Sequence, residues 1–168
     1  MNQKAIDQTR AIFDKAVTPR GVDRHAACLQ WSVILTTVLN ESGSRAVLQG
    51  GSASFPIITP DQDDGERATH FSYIFEPEVA IRRYCLGKLP EMHCWVGLPD
   101  SNEIVDMTAG FQPQQARETA GLQYWNPELY LPEVLWCKCD SLPKGVRYMP
   151  DRVATIMAAK MASTFFRS

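Results

Sequence analysis

The sequence predicts an α+β fold, with a central apolar helix packed on a mostly antiparallel sheet. Three observations carry this reading. Helix-period segments open and close the chain, a nearly all-apolar helix follows close behind the first, and the stretch between holds alternating, aromatic-rich segments bounded by turn residues. The 168 residues, 45% hydrophobic and 21% charged, suit one domain spanning 1–168 with one sizeable core.

Gln3 to Val17 places Ile6, Phe13, Ala16 and Val17 at helical spacing, and Pro19 and Gly21 stop it. A second helix runs through Cys28 to about Asn40, with Asp23 or His25 as candidate caps. Its body, Leu29 to Leu39, is apolar on nearly every side and therefore belongs inside the domain; Gly43 fits its C-terminal cap. Ser44 to Gln49 reads as a strand followed by a flexible Gly50-Gly51-Ser52, and Pro60 to Arg67 as a polar loop. Phe71 to Phe75 is a strand by aromatic content and alternation, and Pro77 to Leu86 a helix with proline in its first turn. Cys94 to Leu98 and Glu103 to Met107 form a hairpin around the turn Pro99-Asp100-Ser101-Asn102. A short helix starts at Pro113, Val134 to Cys139 is a further strand, and Asp151 to Phe166 is a closing helix with Val153, Ile156, Met157, Met161 and Phe165 on one face.

Composition excludes several classes of function. A net charge of −2 gives no electrostatic reason to expect nucleic acid, whose binding usually leaves a basic patch. No run of 18 apolar residues is present to span a membrane, and the polar start MNQKAIDQTRAIFD lacks a signal peptide's apolar stretch. Five irregularly spaced cysteines then read as reduced thiols in a cytoplasm-like compartment, although delivery by a signal-independent secretion system leaves no mark of this kind.

Cys28 falls in the first turn of the central helix, where unpaired N–H groups and the helix dipole favour a thiolate and can later hold an oxyanion. Position alone does not distinguish it from a core cysteine. The hairpin adds the missing partners. A four-residue turn pairs Leu98 with Glu103, Gly97 with Ile104, Trp95 with Asp106 and His93 with Thr108. His93, Trp95 and Asp106 then share one face, and Cys94, Val96, Val105 and Met107 the other. His93 and Asp106 become diagonal neighbours within reach of a hydrogen bond that would fix the imidazole tautomer and free its other nitrogen for a thiol proton. A one-residue slip would separate them.

These residues resemble the transglutaminase-like branch of the papain-like cysteine enzymes. That pattern has a cysteine opening a central helix, a small-residue turn into a strand, His-x-Trp-Val on one strand and Val-Asp-x-Thr on the next. Here the pieces are Cys28-Leu-Gln-Trp, the run Glu41 to Gly51, His93-Cys94-Trp95-Val96 and Val105-Asp106-Met107-Thr108, within about residues 23 to 110. The resemblance implies a papain-like α+β fold and a Cys28, His93, Asp106 triad. Many papain-like enzymes carry a glutamine ahead of the cysteine to complete the oxyanion hole. Positions 20 to 27 read RGVDRHAA, and Gln30 lies after the nucleophile.

The expected chemistry is acyl transfer through a thioacyl intermediate on a protein or peptide amide. Water as acceptor makes a peptidase, amidase or glutamine deamidase, and an amine makes a transglutaminase or other acyltransferase. A non-enzymatic binding module on the same fold is the remaining alternative. Trp31 and Trp95 are candidates to line the substrate site, and the loops Ser52 to Arg67 and Thr108 to Trp125 to set specificity. His25 reads as a capping or surface residue, and His70 as the rival base, lacking an orienting carboxylate. Cys137 and Cys139 lack the further ligands of a zinc site and read as packing, as do Cys85 and Cys94. Asp61, Asp63 and Asp64 lack the glycine and distal glutamate of a calcium loop, and Gly50-Gly51 lacks the Lys-Ser/Thr of a phosphate loop. No cofactor and no metal are expected, and oligomeric state leaves no signature in the sequence.

Overall fold

A computed structural model describes residues 2–57, 69–121 and 131–167. The first helix, α1 (Gln3–Ala16), is capped by Asn2, whose Oδ1 accepts from the Ala5 N–H at 3.1 Å. It ends in a tight turn, Thr18–Arg20, closed by Gly21 at φ 71°. Helix α2 (Cys28–Glu41) follows, and the rings of Phe13 and Trp31 stack at 3.7 Å to join the two. Its N-cap is Ala27, which has no side-chain acceptor, in place of the expected Asp23 or His25. Gly43 supplies the left-handed turn at the C-terminal end, at φ 88°.

The remaining elements are β1 (Val47–Pro56), β2 (His70–Tyr73), α3 (Pro77–Cys85), β3 (His93–Leu98), β4 (Glu103–Asp106), α4 (Gln112–Ala120), β5 (Leu135–Lys138), β6 (Arg147–Pro150) and α5 (Arg152–Arg167). The coarse class is as expected: α+β, with helices on a sheet that, among the described residues, has six strands, all antiparallel. Helix α2 packs Leu35, Val38 and Leu39 with Val96, Leu98 and Val105 of the β3–β4 hairpin. The hairpin register is also as expected where the strands pair: Val96 with Val105, Gly97 with Ile104, Leu98 with Glu103.

Three expectations are corrected. Gly50-Gly51-Ser52 is the middle of the longest strand, not a flexible joint. The glycines are needed for close approach: a Cβ on Gly51 would run into the Met149 carbonyl of β6, and one on Gly50 would lie 3.0 Å from the Ala154 carbonyl of α5. Helix α5 consequently buries Ala154, Met157, Ala158 and Ala162, a small-residue face, and leaves Ile156 48% exposed. Cys85, read as core, is exposed at the end of α3. The sequence also carried no signal for β6.

Strand β1 organises the site. Gly51 pairs with both β3 and β6, and Ala53 and Ser54 pair with both β2 and β6. A strand has two edges, so β2 and β3 lie end to end along the edge of β1 opposite β6. Tyr73 at the end of β2 and His93 at the start of β3 are thereby neighbours, although α3 separates them in sequence. Among the described residues, no helix is long and apolar enough to cross a membrane.

Candidate active site

The site forms where the N-terminus of α2 meets the start of β3. Cys28 is the first residue of α2 and is partly exposed. The first helical bond runs from Trp31 N–H to Ala27 O at 3.0 Å, so the N–H groups of Cys28, Leu29 and Gln30 have no acceptor within the helix. They aim positive potential at the position where the sulfur charge would sit.

His93 and Asp106 are both buried, at 0% and 1% exposure, and His93 Nε2 lies 2.8 Å from Asp106 Oδ2. The diagonal contact expected across the hairpin is therefore present. Asp106 is held from three further directions. The Tyr148 hydroxyl donates to Oδ2 at 2.7 Å, and the Thr108 N–H and hydroxyl each donate to Oδ1 at 2.7 Å. The imidazole is clamped by Tyr73, stacked at 4.9 Å, and by the edge of Phe55 at 5.6 Å. With Nε2 taken by Asp106, the ring's other nitrogen, Nδ1, is buried and has no hydrogen bond of full geometry. The remaining partner acting on His93 is the Cys28 thiol.

Electrostatics follow from this packing. Burial alone would lower the His93 pKa. The Asp106 charge and hydrogen bond, with a smaller contribution from Cys28, outweigh burial and push it up to about 10. Burial likewise works to raise Asp106, but the charge and bond of His93 and the donors Tyr148 and Thr108 hold its carboxyl below the usual range. At Cys28 the largest influence is a hydrogen bond with the Cys94 thiol. With His93 it outweighs burial and holds Cys28 well below an ordinary thiol, while the same contact drives Cys94 well up. The shared negative charge belongs on Cys28, because that sulfur meets both His93 and the helix N-terminus.

Cys28, His93 and Asp106 are thus brought together. The two tryptophans are near but covered. Trp31 is 1% exposed within the core, its Nε1 donating to Arg24 O at 3.1 Å. Trp95 is 0% exposed, 6.2 Å from the His93 ring, with Nε1 donating to Gln49 Oε1 at 2.6 Å. Neither presents surface to a substrate here. His70 is exposed at the start of β2, where Nδ1 is 2.9 Å from Thr69 Oγ1. Cys137 is partly buried and Cys139 exposed, so only the first packs. The described residues contain no cluster of three or more His, Cys, Asp or Glu side chains arranged for a metal. The Asp61, Asp63, Asp64 cluster, most of the Ser52 to Arg67 and part of the Thr108 to Trp125 specificity loops, and the His25 side chain lie outside the described residues.

Sequence reasoning missed Tyr73, Cys94 and Tyr148 as members of the site. Cys94 was read as core, and it is buried, but its thiol meets Cys28. Thr108 had a local signal: an aspartate two residues before a threonine favours the turn in which both donors of the threonine reach one carboxylate oxygen. Tyr148 had none, since its role depends on β6 pairing with β1.

No protein-family model matches the chain, and no curated protein matches it. A crystal structure of a genomics target is similar in fold, with a TM-score of 0.55 and 15% identity, covering 98% of this chain and 78% of that one.

Proposed function

We propose that the protein is a cysteine-dependent acyl-transfer enzyme that hydrolyses an amide of a protein or peptide. Cys28 is the nucleophile, His93 the acid–base and Asp106 the orienting group. One observation carries this reading: a buried His93–Asp106 pair at 2.8 Å leaves a single unbonded ring nitrogen, beside a partly exposed thiol on a helix N-terminus. The transglutaminase-like resemblance of the motifs supports it, and a papain-like arrangement of helix and sheet belongs to the same reading. The five unpaired cysteines accord with a reducing, cytoplasm-like compartment.

In this mechanism the Cys28 proton rests on His93 Nδ1. The thiolate attacks the carbonyl carbon, and the oxyanion gathers at the α2 N-terminus. The C–N bond breaks as His93 protonates the leaving amine. His93 then takes a proton from water, whose hydroxide releases the acyl group as a carboxylic acid and restores the thiolate. An amine in place of water would give the transferase variant. The absence of glutamine from positions 20 to 27 favours, as a second reading, a binding module that keeps the triad without turnover.

Brief alkylation with iodoacetamide between about pH 5 and about pH 9, with all five cysteines mapped by mass spectrometry, tests the activated pair. Cys28 labels fastest well below the ordinary thiol range, and His93→Ala removes that advantage. Labelling of Cys28 at the rate of exposed Cys85 and Cys139 would rule the enzyme reading out.

A further inference from the structure

The strand pairing has a consequence for how a substrate would lie. Ile57 N–H donates to Thr69 O at 3.0 Å, which fixes the phase of the β1–β2 ladder. Phe55–Phe71 and Ala53–Tyr73 are then the hydrogen-bonded pairs, and the N–H and C=O groups of His70 and Ser72 point away from β1. Ile74 continues that outward row, its N–H reaching Glu91 Oε1 at 3.4 Å. Among the described residues β2 pairs with β1 alone, so this row is an open edge.

The same phase holds along β3. Gly50 O accepts from Asp151 N–H on the β6 side, so Gly51 faces β3, and Cys94 faces outward. The β4 pairing stops at Val96–Val105, short of Cys94. Cys28 packs against the cluster that holds Met92 and Cys94. Cys28 therefore sits at the start of β3 that β4 leaves unpaired, and β2 with its open edge lies end to end with β3 along β1.

A cleft of about 800 Å3 borders that edge, lined by His70 to Ile74 and by Leu89 to Met92. Leu89 is 73% and Ile74 59% exposed, and Val79 at 48% adjoins Ile74 in the neighbouring hollow. Apolar side chains left in water around a cleft are the usual signature of a surface that a ligand covers, and Met92 of this cleft belongs to the cluster against which Cys28 packs. A second apolar hollow, lined by Ile12, Ile34, Val38 and Phe166, shares none of these residues.

The geometry points to an extended peptide as the acyl donor, added as a strand to the outer edge of β2 through the Ser72 N–H and C=O, with apolar side chains against Ile74 and Leu89, so that its carbonyl arrives at Cys28. This inference rests on the acyl-transfer reading above and specifies its substrate. Main-chain pairing supplies affinity, and the walls select side chains on alternate residues. A folded protein could enter only by an unfolded segment or terminus, and a small amide without a peptide chain would find no edge contact.

Acetyl-Val-Leu-Gly vinyl sulfone tests it on the full chain. The Cys28 thiolate adds to the vinyl carbon β to the sulfone, the one bonded to the glycine Cα, the C=C bond becomes a single bond, and His93 delivers the proton to the carbon next to sulfur. Its inactivation rate is divided by the iodoacetamide rate at Cys28, and compared with that of two analogues, one N-methylated at the leucine amide and one at the glycine amide. The ratio falls about tenfold for the analogue whose methyl removes an edge hydrogen bond, and about tenfold for the parent probe on Leu89→Asp. Equal ratios for all three probes, with Cys28 still selectively alkylated by iodoacetamide, would overturn strand addition and leave the acyl-transfer reading standing. Loss of selective alkylation would overturn both.

Discussion

At the scale of single residues, the site depends on two ionised groups that burial by itself would neutralise. The Cys94 thiol and His93 hold the Cys28 pKa well below that of an ordinary thiol, and Asp106 pushes His93 up to about 10. These shifts favour a thiolate–imidazolium pair up to about pH 10, and the proposed mechanism requires both charges. Hydrolysis of a peptide amide should rise through the Cys28 pKa on the acid side and fall through about pH 10 as His93 loses its proton. Asp106→Asn removes the charge that raises His93. The alkaline limb then moves to lower pH, and kcat/KM drops roughly a hundredfold or more. A pH–rate profile of the two proteins checks this, and an unmoved alkaline limb would show that Asp106 does not set the His93 proton affinity.

At the scale of elements, the two glycines of β1 decide where the groups of the candidate site sit. Gly51 lets β6 approach closely enough for Tyr148 to reach Asp106, and Gly50 lets α5 lie on the strand at Ala154. Gly51→Ala places a methyl group against the Met149 carbonyl and 3.0 Å from the Asp151 N–H. The expected cost is about 1–3 kcal/mol in urea unfolding, as for other overpacked sites, with activity falling alongside. Gly43→Ala is the control: its φ of 88° strains any other residue, but nothing lies within 4 Å of the added methyl, so stability falls without a change in the catalytic pH profile. A Gly51→Ala protein as stable and active as wild type would mean that β6 is not held where Tyr148 needs it.

At the scale of the whole molecule, the buried ion pair links stability to pH. Asp106 has a folded pKa below its unfolded value, so its contribution is fully present above the unfolded value near 4 and is lost as pH falls through the folded one. His93 has the opposite sign: its contribution is full below about 6.5 and is lost as pH rises through about 10. Asp106→Asn lacks the acid-side component, so its thermal midpoint should lie well below wild type at pH 6 and the two should converge as pH falls through the lowered Asp106 pKa. Parallel melting curves across that range would separate Asp106 from the acid response.

What the sequence by itself determined was local. Helix spacing in 3–17, the apolar body of α2, the turn at 99–102 and strand alternation at 93–98 each depend on a few neighbouring residues, and the hairpin turn was enough to set His93 diagonal to Asp106. Tertiary structure decided everything that joins distant segments. Gly50-Gly51 looks like a joint until β6 and α5 are laid against it, the exposed Ile156 looks like core until the alanine face of α5 finds those glycines, and Tyr73 meets His93 only because β2 and β3 share an edge of β1. Such contacts are set by which backbones can approach one another, a property of paired surfaces that no single segment encodes.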